Sequence, residues 1–295
     1  MAMLECVPNV SEGRDEGVIK ALGEAVVGAG ADLVDVHRDP DHHRSVLTFL
    51  GPRERVTAAA LALARAAVRV IDLKHHAGEH PRLGALDVLP FVPLAGSSME
   101  EAVATAHAVG RTLAAELDLP VFFYEDAALR PHCRLLPAIR AGGFEALAER
   151  MRGAEWFPDA GPRRPHPSAG ATVVGARRVL IAFNAVLGTD DVGTAHRIAR
   201  AIRESSGGLP AVRAIGVELF TRGAAQVAMN LTDYRRTPVV EVVKRLEMEA
   251  QRVGTRVREY ELVGCAPADA IPANLRDRIG GLRATQLLDP ALFGV

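Results

Sequence analysis

Cysteine is scarce. Cys6, Cys133 and Cys265 are the only three among 295 residues; they lie far apart and form no C-x-x-C pair, so neither a disulfide framework nor a zinc ribbon is indicated. A reducing, cytoplasmic compartment is the expectation. Lysine is nearly missing as well: apart from Lys20, Lys74 and Lys244, every fixed positive side-chain charge is an arginine. Genome base composition explains such a bias as readily as function does, so a use of planar guanidinium forks against carboxylates has to be argued site by site. The formal net charge is -1, which gives the whole molecule no draw toward nucleic acid or an anionic membrane face. Any anion it binds must meet a local basic patch. There is no long uninterrupted apolar run: residues 56–73 carry Arg65 and Arg69 and read as an amphipathic helix rather than a membrane span. Glu5 and Glu12 sit where a secretory signal would need an apolar core. A Gly-rich loop between strand and helix is also lacking, the turn after the first strand being Pro8-Asn9-Val10-Ser11-Glu12-Gly13, so no nucleotide cofactor is expected.

What is present is ample apolar residue, 48% of the chain, arranged in alternating extended runs and helices. Residues 4–7 read as a strand, 16–27 as a helix with Val18, Leu22, Ala25 and Val26 on one stripe, and 33–36 and 45–50 as strands separated by Asp39-Pro40-Asp41. A helix over 53–70 follows Pro52, an apolar run covers 88–94, and a helix over 99–117 and a strand over 121–124 extend this half. Residues 155–170, rich in proline and glycine and without period, predict an ordered loop or crossover. The second half is cleaner. Strands over 179–187, 212–220, 225–231 and 257–263 alternate with a helix capped by Asp190 and another started by Pro238. That order, β-α-β-β-α-β, is the ferredoxin-like split β-α-β arrangement. The predicted fold class is therefore α/β (α+β), two ferredoxin-like α/β sandwich subdomains over residues 1–177 and 178–295, with a cleft between them as the default ligand site.

The densest group of titratable residues is Lys74-His75-His76-Ala77-Gly78-Glu79-His80-Pro81-Arg82-Leu83-Gly84. Histidine, with an unperturbed pKa of about 6.5, can both take and return a proton near neutrality. A plain alternative is a set of surface histidines near a helix C-terminus. A metal reading would recruit His75, His76 and His80 with Asp39, Asp41, His42 and His43, but Gly78 and Pro81 prevent the helical spacing of a zinc H-E-x-x-H motif, and no metal is expected. A second group is the loop Gly161-Pro162-Arg163-Arg164-Pro165-His166-Pro167-Ser168-Ala169-Gly170, which either clamps a polycarboxylate or links domains with solvated charges. A third is the set of strand amides Asn184, Gln226 and Asn230, which orient a ligand or satisfy backbone at a sheet edge.

Together, the segments CVPNVSEGRD, HRSVLTFLG, GEHPRLGALDVLPFVPL, PDAGP, GATVVGARRVLIAFN, AQVAMNLTDYRRTP and ELVG resemble the glutamate formiminotransferase domain. The resemblance implies transfer of a formimino group from N-formimino-L-glutamate to tetrahydrofolate as co-substrate. It also implies a folate tunnel between two α/β subdomains and a homodimer. It makes the histidine of the GEHPR motif, His80, the catalytic residue, and the loop from Gly161 to Gly170 a folate contact. Where relatives often read His-Asn-Arg-Ser this chain has His42-His43-Arg44-Ser45. The loop carries Arg163, Arg164 and His166 in place of more usual aromatic residues, which shifts its expected role from pterin stacking toward attraction of glutamate-tail carboxylates. On this reading His80 removes the N5 proton of tetrahydrofolate and returns one to the departing glutamate nitrogen, while Arg82 holds substrate carboxylates. A cyclodeaminase domain follows in bifunctional relatives and not here, so a separate protein is expected to act on the product. Two other readings are a formyl transfer between 5-formyltetrahydrofolate and glutamate on the same fold, and a non-catalytic folate-binding protein.

Overall fold

The structure, a computed structural model, describes residues 2–78 and 81–293. Glu79 and His80 lie outside the described residues. Chain contacts divide the protein into two units, Met1–Arg177 and Arg178–Val295.

In the first unit, β1 (Met3–Cys6), β2 (Asn9–Val10), α1 (Glu16–Gly28), β3 (Asp32–Asp39), β4 (Arg44–Pro52), α2 (Arg53–Val70) and β5 (Leu86–Pro93) form the opening module. β1 lies between β4 and β5 and antiparallel to both, β3 pairs with the outer edge of β4, and β2 continues the line of β1 between the same neighbours. The spatial order β3-β4-β1-β5 is that of a ferredoxin-like core. α3 (Met99–Leu117) then leads to β6 (Val121–Glu125), and two short helices, α4 (Leu136–Arg140) and α5 (Gly143–Arg150), lead to β7 (Thr172–Ala176). β7 inserts between β5 and β6, parallel to both.

Strand alternation decides which side chains meet which helices. Leu4, Cys6, Leu47, Phe49, Leu89, Phe91, Phe123 and Val174 pack with α1, α2 and α3 in one core. Val88, Phe122 and Val173 point the other way, toward Ile139 of α4 and Leu147 of α5. α1 is capped by Asp15, which accepts from the N–H groups of Gly17 and Val18, and α3 by a Ser98/Glu101 capping box. Sequence periodicity did not single out α4, α5 or β7. The helices span less than three turns and β7 only five residues, too few for a period to emerge.

The second unit runs β8 (Ile181–Leu187), α6 (Val192–Ile202), β9 (Val212–Leu219), β10 (Ala224–Leu231), α7 (Val239–Arg252) and β11 (Val257–Val263). Its sheet has the order β11-β8-β10-β9, every pair antiparallel, which is the ferredoxin-like arrangement expected from the sequence. α6 and α7 cover one face with Ile198, Ile202, Val242 and Leu246 against Phe183, Val227 and Tyr260. The cap of α6 is Asp191 and not Asp190. The helix begins at Val192, so only the residue immediately before it can reach the orphan N–H groups, and the Asp191 carboxylate accepts from Gly193 and Thr194. No helix among the described residues is long and apolar enough to cross a membrane.

The correction at the cap is directly measurable. Asp191→Ala should lower the urea midpoint of unfolding, while Asp190→Ala should leave it unchanged.

Candidate active site

The histidine-rich loop between α2 and β5 is fixed against three other parts of the first unit. The first is the tip of the β3–β4 hairpin. There Asp39 accepts a hydrogen bond from the His42 backbone N–H at 2.9 Å and pairs through its other oxygen with the His42 ring. His43 follows with φ 49°, a left-handed conformation that few residues other than glycine, asparagine and aspartate adopt. Its Nδ1 accepts from the Gly13 N–H at 3.1 Å. The His76 ring stacks on the His43 ring at 4.2 Å between centroids and donates from Nε2 to the His43 carbonyl at 2.8 Å. Gly78 closes the contact, since a Cβ there would lie 2.6 Å from the His42 carbonyl oxygen.

The second anchor is the α4–α5 pair. Arg82 donates to the His76 carbonyl at 3.0 Å and grips Glu145 with both terminal nitrogens at 3.2 and 2.8 Å. Asp87, 1% exposed, accepts from the Leu83 N–H at 2.7 Å and pairs with Arg140. The third anchor is the proline- and glycine-rich loop. Leu73 donates to the Ser168 carbonyl at 2.8 Å, Ala85 to Ala169 at 3.0 Å, and Ala171 to Leu83 at 3.1 Å. Gly170 sits at φ +69°, and a Cβ on it would come within 2.0 Å of the Leu83 carbonyl oxygen. Only glycine fits there.

The two sequence features therefore meet within one unit. Within the loop, the His166 ring closes the turn by accepting from the Ala169 N–H at 3.0 Å, and its backbone exchanges hydrogen bonds with Gly170. Two guanidinium groups lie over the Phe157 ring, Arg163 at 4.7 Å and Arg130 at 4.3 Å. Arg164 pairs with Asp118 at 2.5 Å, both largely exposed. Gly161, with φ +86°, follows the Asp159–Ala160 segment pinned to Val121. Pro162, Pro165 and Pro167 shape the turns between these fixed points.

Electrostatics makes His43, His76 and His166 bases rather than cations. Burial first, and then the neighbouring His76, push His43 down to about 4, against the pull of Glu12. Burial likewise lowers His76 and His166. With its Nε2 proton donated to the His43 carbonyl, neutral His76 has a bare lone pair at Nδ1, which is buried with no hydrogen-bond partner among the described residues. Burial alone would raise Asp39, but the hydrogen bonds and charge of His42 more than offset it, and its carboxyl is held below the usual carboxylate range. Among the described residues no three histidine, cysteine or carboxylate side chains are arranged to hold a metal ion. The lone pair of His43 Nδ1 and the proton of His76 Nε2 are already used within the protein.

Comparison with known proteins identifies the family. The profile of the "Formiminotransferase domain, N-terminal subdomain" matches residues 3–177, and that of the "Formiminotransferase domain" matches residues 182–275. The chain belongs to the formiminotransferase family. It is 42% identical to the "Glutamate formimidoyltransferase" of Streptococcus pyogenes serotype M1, over 91% of this chain and 90% of that protein. It is 41% identical to the protein of the same name from Thermoplasma acidophilum over 92% and 90%. The "Formimidoyltransferase-cyclodeaminase" of Rattus norvegicus is 46% identical over 91% of this chain, which spans 51% of that longer protein.

Within this formiminotransferase, His80 lies outside the described residues, while both flanks of its segment are held in place. Sequence reasoning flagged His42, His43, His76 and Arg82 but missed Glu145 and Arg140. No motif signals them, because they reach Arg82 and Asp87 across 63 and 53 residues.

The depressed pKa of His43 has a measurable consequence. The unfolded chain binds a proton near pH 6.5 that the native His43 refuses until about pH 4, so stability is fully present above pH 6.5 and is lost as pH falls through that window. His43→Asn, which keeps a side chain tolerant of positive φ, should flatten the decline of the urea midpoint between pH 6.5 and pH 4. An unchanged slope would show that the buried imidazole is not its source.

Proposed function

We propose that this chain is a glutamate formimidoyltransferase. It transfers the formimino group from N-formimino-L-glutamate to tetrahydrofolate, giving 5-formiminotetrahydrofolate and L-glutamate in histidine degradation. The observation that carries this reading is the 42% identity to a protein of that name across nine-tenths of both chains. The contacts of Gly78 and Arg82, two described residues of the GEHPR motif, support it.

In the reaction N5 of tetrahydrofolate attacks the formimino carbon, a new C–N bond forms, and the tetrahedral intermediate collapses by breaking the bond to the glutamate nitrogen. N5 must lose a proton and the departing nitrogen must gain one. We assign both transfers to His80. An imidazole that works near neutrality serves as base in the first step and acid in the second. The described neighbours in sequence favour this role: Gly78 is seated on the hairpin tip, and Arg82 is bonded to Glu145 and to the His76 carbonyl.

Arg82 is 13% exposed and Glu145 is 65% exposed. A substrate carboxylate that reaches Arg82 competes with Glu145, its solvent-facing partner, while the bond to the His76 carbonyl still holds the guanidinium. The Arg164–Asp118 pair is similarly weak at the surface, and glutamate-tail carboxylates of folate compete for Arg164. Gly161, Pro162, Pro165, His166, Pro167, Ser168, Ala169 and Gly170 shape the loop that presents it, with Arg163 held over Phe157. The product carries an imine that a cyclodeaminase consumes; the name of the rat relative joins that activity to this one in a single protein.

Purified protein mixed with tetrahydrofolate and N-formimino-L-glutamate should yield 5-formiminotetrahydrofolate, read by ultraviolet absorbance after acid conversion. The pair 5-formyltetrahydrofolate and glutamate should react far more slowly, and equal or faster formyl transfer would displace the reading. His80→Ala should retain folate binding and lose about 10² to 10⁴ in turnover. Undiminished activity in that variant would remove His80 from the mechanism.

A further inference from the structure

None of the chemistry above uses Arg140, the last residue of α4. Its guanidinium pairs with one carboxylate oxygen of Asp87, and the other oxygen of Asp87 accepts from the Leu83 N–H at 2.7 Å. Gly143 opens α5, and a Cβ there would lie 3.5 Å from the Arg82 carbonyl oxygen. The peptide between Arg82 and Leu83 is thus met on both edges from the α4–α5 pair, its N–H through Asp87 to Arg140 and its C=O at Gly143. Glu145 adds a third contact, to the Arg82 side chain at 2.8 Å. Arg82 and Leu83 follow His80-Pro81 directly in the sequence.

The two helices have other means of support. Arg150 braces them by donating to the carbonyl of Ala138 at 2.9 Å and to those of Ile139 and Ala141 at 2.6 Å each, groups that a helix C-terminus leaves without intrahelical partners. Ile139 and Leu147 pack with Phe122 and Val173. The Arg140–Asp87 pair adds little to that. Asp87 is withdrawn from water, and Arg140 Nε is buried with no partner among the described residues. A buried pair so incompletely satisfied is a poor source of stability, and apolar residues would pack in its place at lower cost. What the pair supplies is direction: a carboxylate gripped by a guanidinium receives the Leu83 N–H in one orientation.

Leu83 is already fixed at its carbonyl by the Ala171 N–H at 3.1 Å and by its buried side chain. The plane of the peptide before it therefore sets the direction in which the chain leaves Leu83 toward Arg82. We propose that Arg140, acting through Asp87 and the Leu83 N–H, is a positioning residue for His80 in formimino transfer. It touches no substrate. This inference rests on the reading of the protein as a glutamate formimidoyltransferase whose protons are moved by His80.

Steady-state kinetics of Arg140→Met, His80→Ala and the double variant test it. Arg140→Met should lower kcat about tenfold to a hundredfold, the scale set by a displacement of about one ångström. KM for N-formimino-L-glutamate and affinity for 5-formyltetrahydrofolate should stay within about twofold. In the His80→Ala background the same substitution should lower turnover by less than about twofold, because no imidazole is left to place. Unaltered turnover, an equal loss in both backgrounds, or a raised KM at constant kcat overturns the proposal. Should Arg140→Met lose its cooperative melting transition, Arg140→Lys, which keeps a charge opposite Asp87, takes its place in the cycle. Its smaller loss, about threefold or more, should likewise vanish beside His80→Ala, and unaltered turnover or an equal loss in both backgrounds again overturns the proposal. A wild type that transfers the formimino group and depends on His80 but not on Arg140 defeats this inference and spares the proposed function. Undiminished turnover in His80→Ala defeats the assignment of His80 and this inference with it. A wild type that transfers no formimino group defeats both readings.

Discussion

The first unit depends on two short strips of backbone, residues 83–85 and 169–171, that hold each other by exchanged hydrogen bonds. Neither strip belongs to a helix, and each lies just before a strand, β5 in one case and β7 in the other. Because β5 and β7 are themselves paired in parallel, the sheet sets the separation of the strips and the strips extend the sheet into the loops. Gly170 makes the approach possible. The ends of a proline-rich loop and of a histidine-rich loop, residues 169–171 and 83–85, thereby share the order of the sheet. Catalytic precision on loops requires such transfer of order, since a misplacement of one ångström costs orders of magnitude in rate.

The same frame controls protonation. His43 and His76 stack on each other, and two cationic imidazoles at that separation would repel, so each discourages the charging of the other. Burial acts in the same direction. Glu12 opposes the shift at both rings without reversing it. The stacked His43–His76 pair is thus uncharged at neutral pH, and the Arg82 guanidinium, which also pairs with Glu145, lowers both rings further. Asp39, held ionised by His42, secures the hairpin rather than the chemistry.

Much of the architecture was legible because its signals are local. The stripe Val239, Val242, Val243 and Leu246 repeats at helical spacing, and residues 181–187 and 224–231 form apolar runs between turn residues, so the second unit follows from its own sequence. α4 and α5 carry no such signal. They exist because Ile139, Leu147 and Met151 find Phe122, Val173 and Cys133 on the far face of the sheet, a reward that becomes visible only after β7 is in place. For the site, the histidine loop and the proline-rich loop stood out by composition, but their meeting did not. It is made by backbone groups of Leu83, Ala85 and Ala169, whose side chains have no bearing on it. Asp191 displaced Asp190 as a cap for a related reason: two adjacent aspartates are equivalent in composition and differ only in where the first helical turn begins.

The two ferredoxin-like cores share an order of elements but treat the second face of their sheets differently. In the first unit, α3, β6 and β7 add a parallel extension, and α4 and α5 bury its far side under apolar contacts. Those added elements supply Glu145, Arg140 and the 161–170 loop, so the extension is also what builds the candidate active site. The second unit adds no comparable extension to its sheet and places Asn184, Gln226 and Glu261 where apolar residues would cost less. Replacing such a cluster by well-packed hydrophobic residues generally favours stability, and a core that needed only to fold would have no reason to keep it. What holds the array is its own pairing, Gln226 to Glu261 and Arg222 to Glu259 and Glu261.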